Sequence, residues 1–300
     1  DRLNGFALGR VRIAAGRSIT VDSALRSADG GEITLYAPEV DIKANLVSRG
    51  GLIQAGNVLL QPSFLAPRIE DAALAPQPQQ LARLHVAAGV VLDARGVWAN
   101  LLRDAEGLAG LPVRDGGRVA LRGTGDVVVD VGSVLDVSAG ASVLADGKLR
   151  GGKGGSVTLA AHVPSGVQSS GGLLSFGGEA RGYGVTGGGT LSVSSGGRIV
   201  LGGPSDPLEA EALRLDPSLF RSGFGKYEIN GYQGLAVADG AQIDVAMPVL
   251  RFEGGTTQAP GSSAQPGDVL SLWTPPLYTE DPLRAGLTQR VGADLALYSD

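Results

Sequence analysis

The sequence predicts an all-β protein, a parallel β-helix (solenoid) with loop and short-helix excursions. Three observations carry the prediction. Glycine pairs lead into alternating apolar strands, a five-point pattern of apolar residues around a glycine recurs, and the two run in series at the spacing of solenoid coils.

The first pattern is Gly-Gly-x-apolar-x-apolar. It occurs from Gly30 to Leu35, Gly116 to Leu121, Gly154 to Leu159 and Gly188 to Val193. Each copy reads as a turn followed by a strand of period two. The second pattern has apolar residues at 0, +2, +8 and +10 around a glycine at +5: Val11, Ile13, Gly16, Ile19, Val21, then Leu84, Val86, Gly89, Leu92, Ala94. Two further copies run through Val127, Val129, Gly132, Leu135, Val137 and through Leu235, Val237, Gly240, Ile243, Val245. Apolar residues two apart share one face of a strand. The glycine between them marks a corner, where positive φ costs Gly little.

From Gly117 the patterns give three strands and three corners in about twenty residues, the scale of one solenoid coil. The step from Gly117 to Gly155 is 38 residues, close to two such coils. A coil cannot bury its own inner face, and stacking at about 4.8 Å makes one continuous core. A sandwich or barrel competes, but tight hairpin turns are sparse. Asp29-Gly30 and Asn230-Gly231 are the best candidates for them.

Composition agrees. The chain has 300 residues, 48 Gly, 16 Pro, no Cys and a net charge of −5, with 43% hydrophobic residues to fill a large core. Gly and Pro together fall short of low-complexity disorder, so the glycines punctuate. Absence of Cys excludes disulfide scaffolds and thiolate zinc sites. No long apolar run, signal peptide or lipidation motif predicts a span or anchor in a bilayer. The acidic balance, with aromatics not interleaved with Lys or Arg, argues against nucleic acid.

The expected organisation is coils over 1–60, a Pro/Gln-rich excursion over 61–83, and coils over 84–202 interrupted near 97–115. A helical excursion over 203–226, coils over 227–253, a Gly/Pro-rich excursion over 254–292 and a further strand over 293–300 follow. Helical turns are expected at Ile69 to Leu74 and Ala99 to Ala105. The clearest helix begins at Pro207, capped by Ser205 or Asp206, with Glu209 and Glu211 in its first turns. The chain starts close to its first apolar residue and ends on a strand, with no initiator Met and no export signal. That is expected of a segment of a longer protein.

The strings LHVAAGVVLDARGVWAN, GGKGGSVTLAA, ARGYGVTGGGTLSV, RLDPSLFRSGFGKYEINGYQGLAVADGAQIDV and TPPLYTEDPLRAGLTQRVGADLAL cover about half of the chain between Leu84 and Leu297. On them the chain resembles internal regions of the filamentous haemagglutinin-like exoproteins of two-partner secretion. The resemblance implies a right-handed β-helical rod, exported through a partner transporter in the outer membrane of a Gram-negative bacterium. It implies adhesion, aggregation or biofilm contact at the cell surface, with a host-cell or bacterial glycan or protein as receptor. Asn4-Gly5 lacks the Asn-Pro-Asn context of the family's secretion domain, so a stalk or internal domain is expected.

β-Helices also act on polysaccharides, and that chemistry needs paired carboxylates, or Asp with Arg or Lys and calcium. Asp93, Asp136 and Asp244 share the +9 position of the second pattern and are expected to point outward as solvated side chains. Their separations of 43 and 108 residues do not imply stacking in adjacent coils. An acidic cluster with Arg or Lys on one face would favour an enzyme, and a smooth polar face with decorated loops an adhesin. Gly182 to Gly187 matches a dinucleotide-binding glycine pattern, but a strand follows where a helix is needed. His85 and His162 have no partner at ligand spacing, and His85 should be an outward, solvated side chain. No catalytic residue, cofactor or metal is expected. Aromatics near the excursions, Trp98 and Trp273 above all, are the candidate ligand contacts, against the plainer reading that they pin excursions to the coil.

Overall fold

The computed structural model describes residues 8–59, 82–103, 113–161, 172–203, 211–261, 264, 266–276, 278–281, 286–289 and 292–299. Successive coils build three faces, each a parallel sheet whose strands neighbour one another in chain order. The first face has eight strands: Arg10–Ala14, Glu32–Tyr36, Leu52–Gly56, Arg118–Arg122, Ser156–Ala160, Gly189–Ser195, Phe224–Gly231 and Asp294–Ser299. The second has five: Ser18–Val21, Glu39–Ile42, Arg83–Val86, Asp126–Val129 and Leu174–Phe176. The third also has five: Leu25–Arg26, Leu46–Val47, Val91–Asp93, Val134–Asp136 and Glu179–Arg181. This is a parallel β-helix.

Register makes the core. On the first face Val11, Ile33, Ile53, Val119, Val157, Leu191 and Tyr227 occupy one column. Ile19, Val40, Leu84, Val127 and Leu174 do so on the second face, and Leu46, Leu92, Leu135 and Ala180 on the third. All are buried in one continuous cluster. Each buried aliphatic side chain contributes about 1.5–3 kcal/mol relative to exposure.

The glycine pairs stand at the corner that enters the first face. A β-carbon on Gly31, Gly51, Gly117, Gly155 or Gly189 would collide with the carbonyl oxygen of the glycine one coil below, from Gly9 up to Gly155. Those carbonyls accept the amides that follow the next glycine, among them Leu52 N–H to Gly31 at 2.9 Å, Arg118 N–H to Gly51 at 2.7 Å and Ser156 N–H to Gly117 at 3.0 Å. Gly50-Gly51 belongs to this column and leads Leu52–Gly56, although it is not among the four copies read from sequence. Its strand reads Leu-Ile-Gln-Ala-Gly, which obscures the alternation.

The second pattern marks two different corners. Gly89, Gly132 and Gly240 have positive φ (75°, 83° and 70°), and the first two turn the chain from the second face to the third. Gly16 instead joins the first face to the second and is not among the positive-φ glycines. The apolar spacing repeats because consecutive strands on any two faces are separated by a similar corner.

The excursions depart from expectation. Ala212–Leu215 is a strand, parallel to Arg198–Leu201, and Pro217–Arg221 is a 3-10 helix capped by Asp216. Burial of Leu213 and Leu215 on one side of an extended segment outweighs the helical signal around it. Phe224–Gly231, partly assigned to that excursion, is a full strand of the first face. Trp98–Asn100 is a strand paired with Ala141–Val143, not the start of a helix. The expected helices at Ile69 to Leu74 and from Pro207, to the extent of 204–210, lie outside the described residues, as does the end of the one at Ala99 to Ala105. Among the described residues the α-helix is the single turn Pro266–Val269. Neither candidate for a tight hairpin turn is one, because Asp29-Gly30 is a coil corner and Asn230-Gly231 ends a strand. A tight hairpin lies at Asp146-Gly147, between antiparallel Ala141–Val143 and Leu149–Gly151, with Gly147 at φ 78°.

Gly117→Ala is expected to destabilise the protein by about 3 kcal/mol or more, because backbone rather than side chain must yield. Gly16→Ala, with open space around its Cα, is the matched control and is expected to lie within about 0.5 kcal/mol of the parent in urea unfolding.

Candidate functional site

The third face presents a ladder of charge. Its outward column runs through Arg26, Val47, Asp93, Asp136 and Arg181, so Asp93 and Asp136 stand directly opposite each other on adjacent strands. Their separation of 43 residues does not imply this stacking, because the chain leaves the three faces at Trp98–Asn100 before it rejoins the first face at Arg118–Arg122. The structure corrects their expected solvation, since Asp93 is 5% and Asp136 7% exposed. Asp244 is elsewhere, exposed and 3.5 Å from Arg221.

Arg49 and Arg95, each two residues beyond its strand, and Arg181 at the end of its own lie against the carboxylates. Arg95 donates to Asp93 through Nε at 2.9 Å and through a terminal nitrogen at 2.8 Å, and Arg49 lies 3.5 Å away. Burial pushes Asp93 up, but these guanidinium groups hold it below the ordinary carboxylate value. Asp136 accepts the Ser138 amide at 2.9 Å and has Arg95 and Arg181 only at 4.0 Å. Burial therefore dominates and raises Asp136. Arg181 is committed to Glu179, at 2.8 and 2.6 Å. Sequence reasoning found the two aspartates but not their arginines, whose signal is Asp-x-Arg at Asp93 to Arg95 beside Glu-x-Arg at Glu179 to Arg181.

His85 faces outward on the second face, as expected, but is not simply solvated. Its Nδ1 lies 2.8 Å from Asp41 and its Nε2 2.9 Å from Asp130, so it bridges the strand before it and the corner after the next strand. Lys43 pairs with Asp41 at 3.1 Å and reaches Asp22 at 4.0 Å. A neutral imidazole has one N–H for two carboxylates, so the geometry suits the imidazolium. Burial lowers His85, but Asp130 and Asp41 outweigh it and the net shift is upward. His162 lies outside the described residues.

Trp98 is 3% exposed in a second, smaller core with Ala141, Val143, Val269 and Leu270. Its indole N–H donates to the Pro260 carbonyl at 3.1 Å, and Asn100 donates to Ala259 at 2.7 Å. The ring thus ties the segment around 260 to the coil. Trp273 is half-buried on the hairpin Val249–Phe252/Leu270–Trp273, with the Arg251 guanidinium 4.5 Å above its ring. The structure does not bring the two tryptophans into one binding surface. Gly182 to Gly187 forms the corner before Gly189–Ser195, with no helix after it.

A cleft of about 430 Å³ opens beside the end of the aspartate ladder. Phe176 to Ala180 form one wall with Tyr183, and the inserted strand and 3-10 helix supply Arg214, Asp216 and Arg221 on the other. Burial raises the Tyr183 phenol, which stays protonated and able to donate. Among the described residues no group of three His, Cys, Asp or Glu side chains has metal-binding geometry, and no helix is long and apolar enough to cross a membrane.

Comparison with protein-family models, curated proteins and solved structures returned no match to this chain.

Two measurements check these clusters. Asp93→Asn is expected to cost about 2 kcal/mol, since a buried carboxylate loses its two charge-assisted bonds to the half-exposed Arg95. Asp136→Asn keeps the acceptor for Ser138 and removes an unfavourable charge, so it is expected to raise the unfolding midpoint at neutral pH. The His85 contribution is complete below its ordinary value of 6.5 and is lost as pH rises through the raised native value. Asp41, held low by His85 and Lys43 against its burial, contributes above its ordinary 3.8 and is lost as pH falls through its native value. Urea midpoints from about pH 5 to about pH 9 should therefore decline on the alkaline side for the parent, and His85→Gln should flatten that decline.

Proposed function

We propose that this chain is an internal structural and interaction segment of a secreted bacterial adhesin, acting in cell-surface attachment or aggregation without catalysis. The observation that carries the reading is the state of the stacked carboxylates. Glycoside cleavage needs an acid and a base open to substrate on either side of a bond. Asp93 is instead covered and doubly bonded by Arg95, and Asp136 is buried beneath the same row of guanidinium groups. The regular faces carry their variation in corner excursions, which is where recognition loops sit on a rigid scaffold.

The resemblance to filamentous haemagglutinin-like exoproteins adds an outer-membrane partner transporter, a location at or beyond the cell surface, and a glycan or protein receptor. Those assignments rest on the sequence strings alone. A second reading, a carbohydrate-active β-helix, draws on the same ladder. Asp136 is raised by burial and flanked by arginines, and perturbed carboxylates of that kind are frequent at reactive sites.

The two readings separate in one assay pair. The purified chain is applied to bacterial and epithelial cells, and in parallel to a polysaccharide panel with and without calcium. Saturable attachment with no new reducing ends or unsaturated products is expected. Product formation that disappears in Asp136→Asn would replace the adhesin reading with the enzymatic one.

A further inference from the structure

We propose that the cleft between the third face and the inserted strand binds a neutral oligosaccharide. The assignment deepens the adhesin reading and rests on it for its biological setting. Its size suits a few sugar units, within the range of ligand clefts.

The chemistry of the lining selects the ligand class. Glu179 and Asp216 face the same space as Arg214 and Arg221, so the charges of the lining residues cancel. A phosphate or a polyuronate would meet two carboxylates there, and a basic peptide would meet two guanidinium groups. A sugar hydroxyl both donates and accepts, and so matches a wall that mixes the two. Glu179 is held by Arg181 at 2.8 and 2.6 Å, whereas Asp216 and Arg221 keep polar capacity toward the cleft. Asp216 uses Oδ1 to cap Ser218 at 2.8 Å, and Arg221 is exposed with only a loose 3.5 Å pair to Asp244.

Aromatic surface supplies the apolar half of the match. Phe176 and Tyr183 are both half-buried and line the cleft, which leaves ring surface for the C–H face of a pyranose. Tyr183 is held in place: a β-carbon on Gly223 would strike its ring, so the ring packs closely against that glycine. Arg214 is fixed by its bond to the Gly202 carbonyl at 3.0 Å. The wall is therefore arranged before any ligand arrives, which lowers the entropic cost of binding.

The test is titration of the whole chain with uncharged gluco-, manno- and galacto-oligosaccharides, with oligogalacturonate as the anionic comparator, followed by amide chemical shifts and calorimetry. A neutral sugar is expected to perturb amides around Tyr183 and Arg221, insensitively to salt. Arg221→Ala, at an exposed position that leaves the fold intact, and Tyr183→Ala are each expected to weaken binding about tenfold. Trp273→Ala, on the separate hairpin, should leave it unchanged. The proposal is overturned if no neutral sugar perturbs the cleft, if oligogalacturonate binds more tightly with strong salt dependence, or if Arg221→Ala and Tyr183→Ala bind as the parent does. Cell attachment read on the same variants keeps the two ideas apart. Attachment without saccharide binding sinks the cleft and spares the adhesin, and saccharide binding without attachment does the reverse.

Discussion

The column of glycines from Gly9 to Gly189 is the contact on which the stacking of the coils depends. At this corner the carbonyl of one glycine sits where the next would carry a β-carbon, and accepts the amide one residue further on. Register is fixed there before any side chain interdigitates. With the corner set, Val11, Ile33, Ile53, Val119 and Val157 must fall above one another, and the other two faces inherit their alignment from the corners that follow. A one-residue slip would turn every inward column outward, so backbone contact and apolar burial enforce the same register.

A parallel stack imposes a second condition, because like residues on adjacent strands lie about 4.8 Å apart. Identical charges in one column would repel. On the third face Asp93 and Asp136 violate that condition, and the arginines around them resolve it unequally. Asp93 receives a bidentate guanidinium, while Asp136 receives an amide and two distant charges. The second face resolves its own pair differently, by placing His85 between Asp41 and Asp130. Arg95 neutralises Asp93 within one coil, whereas the His85 bridge is made between coils and is sensitive to coil spacing as well as to pH.

Regular coils were legible in the sequence because their determinants are local. Gly-Gly followed by alternating apolar residues states both the corner and the inward face. What was not legible depends on chain that leaves the coil and returns. The separation of Asp93 from Asp136 counts the excursion as if it were coil, and so hides their direct pairing. The strand Ala212–Leu215 was hidden for a related reason: its parallel partner Arg198–Leu201 precedes it in the chain, and alternation over four residues is too short to outweigh a nearby helix signal. Trp98 was recognised as a side chain between two roles, and the partner that decides between them, the carbonyl of Pro260, lies far along the chain. The cleft left no sequence signature, since its two walls come from Phe176 to Tyr183 and from Arg214 to Ser222, joined only through the fold.

The same excursions that obscure the sequence create the surfaces that are not repeated. Arg198–Leu201 pairs with Ala212–Leu215 on one side and with Leu235–Val237 on the other, so the later strand has been inserted beside an earlier one. An insertion of this kind widens one coil and leaves the first face paired, with a register shift between Gly189 and Thr190 where Gly189–Ser195 meets Phe224–Gly231. The extra width is taken up by the 3-10 helix, whose Phe220 enters the core against Tyr227 at 5.2 Å between ring centres. One side of that short helix is thus anchored in the core, while its other residues, Arg221 among them, line the cleft. A solenoid that repeated perfectly would offer equivalent grooves along its length. Breaking the repeat at this coil provides a distinct concave surface beside the regular faces.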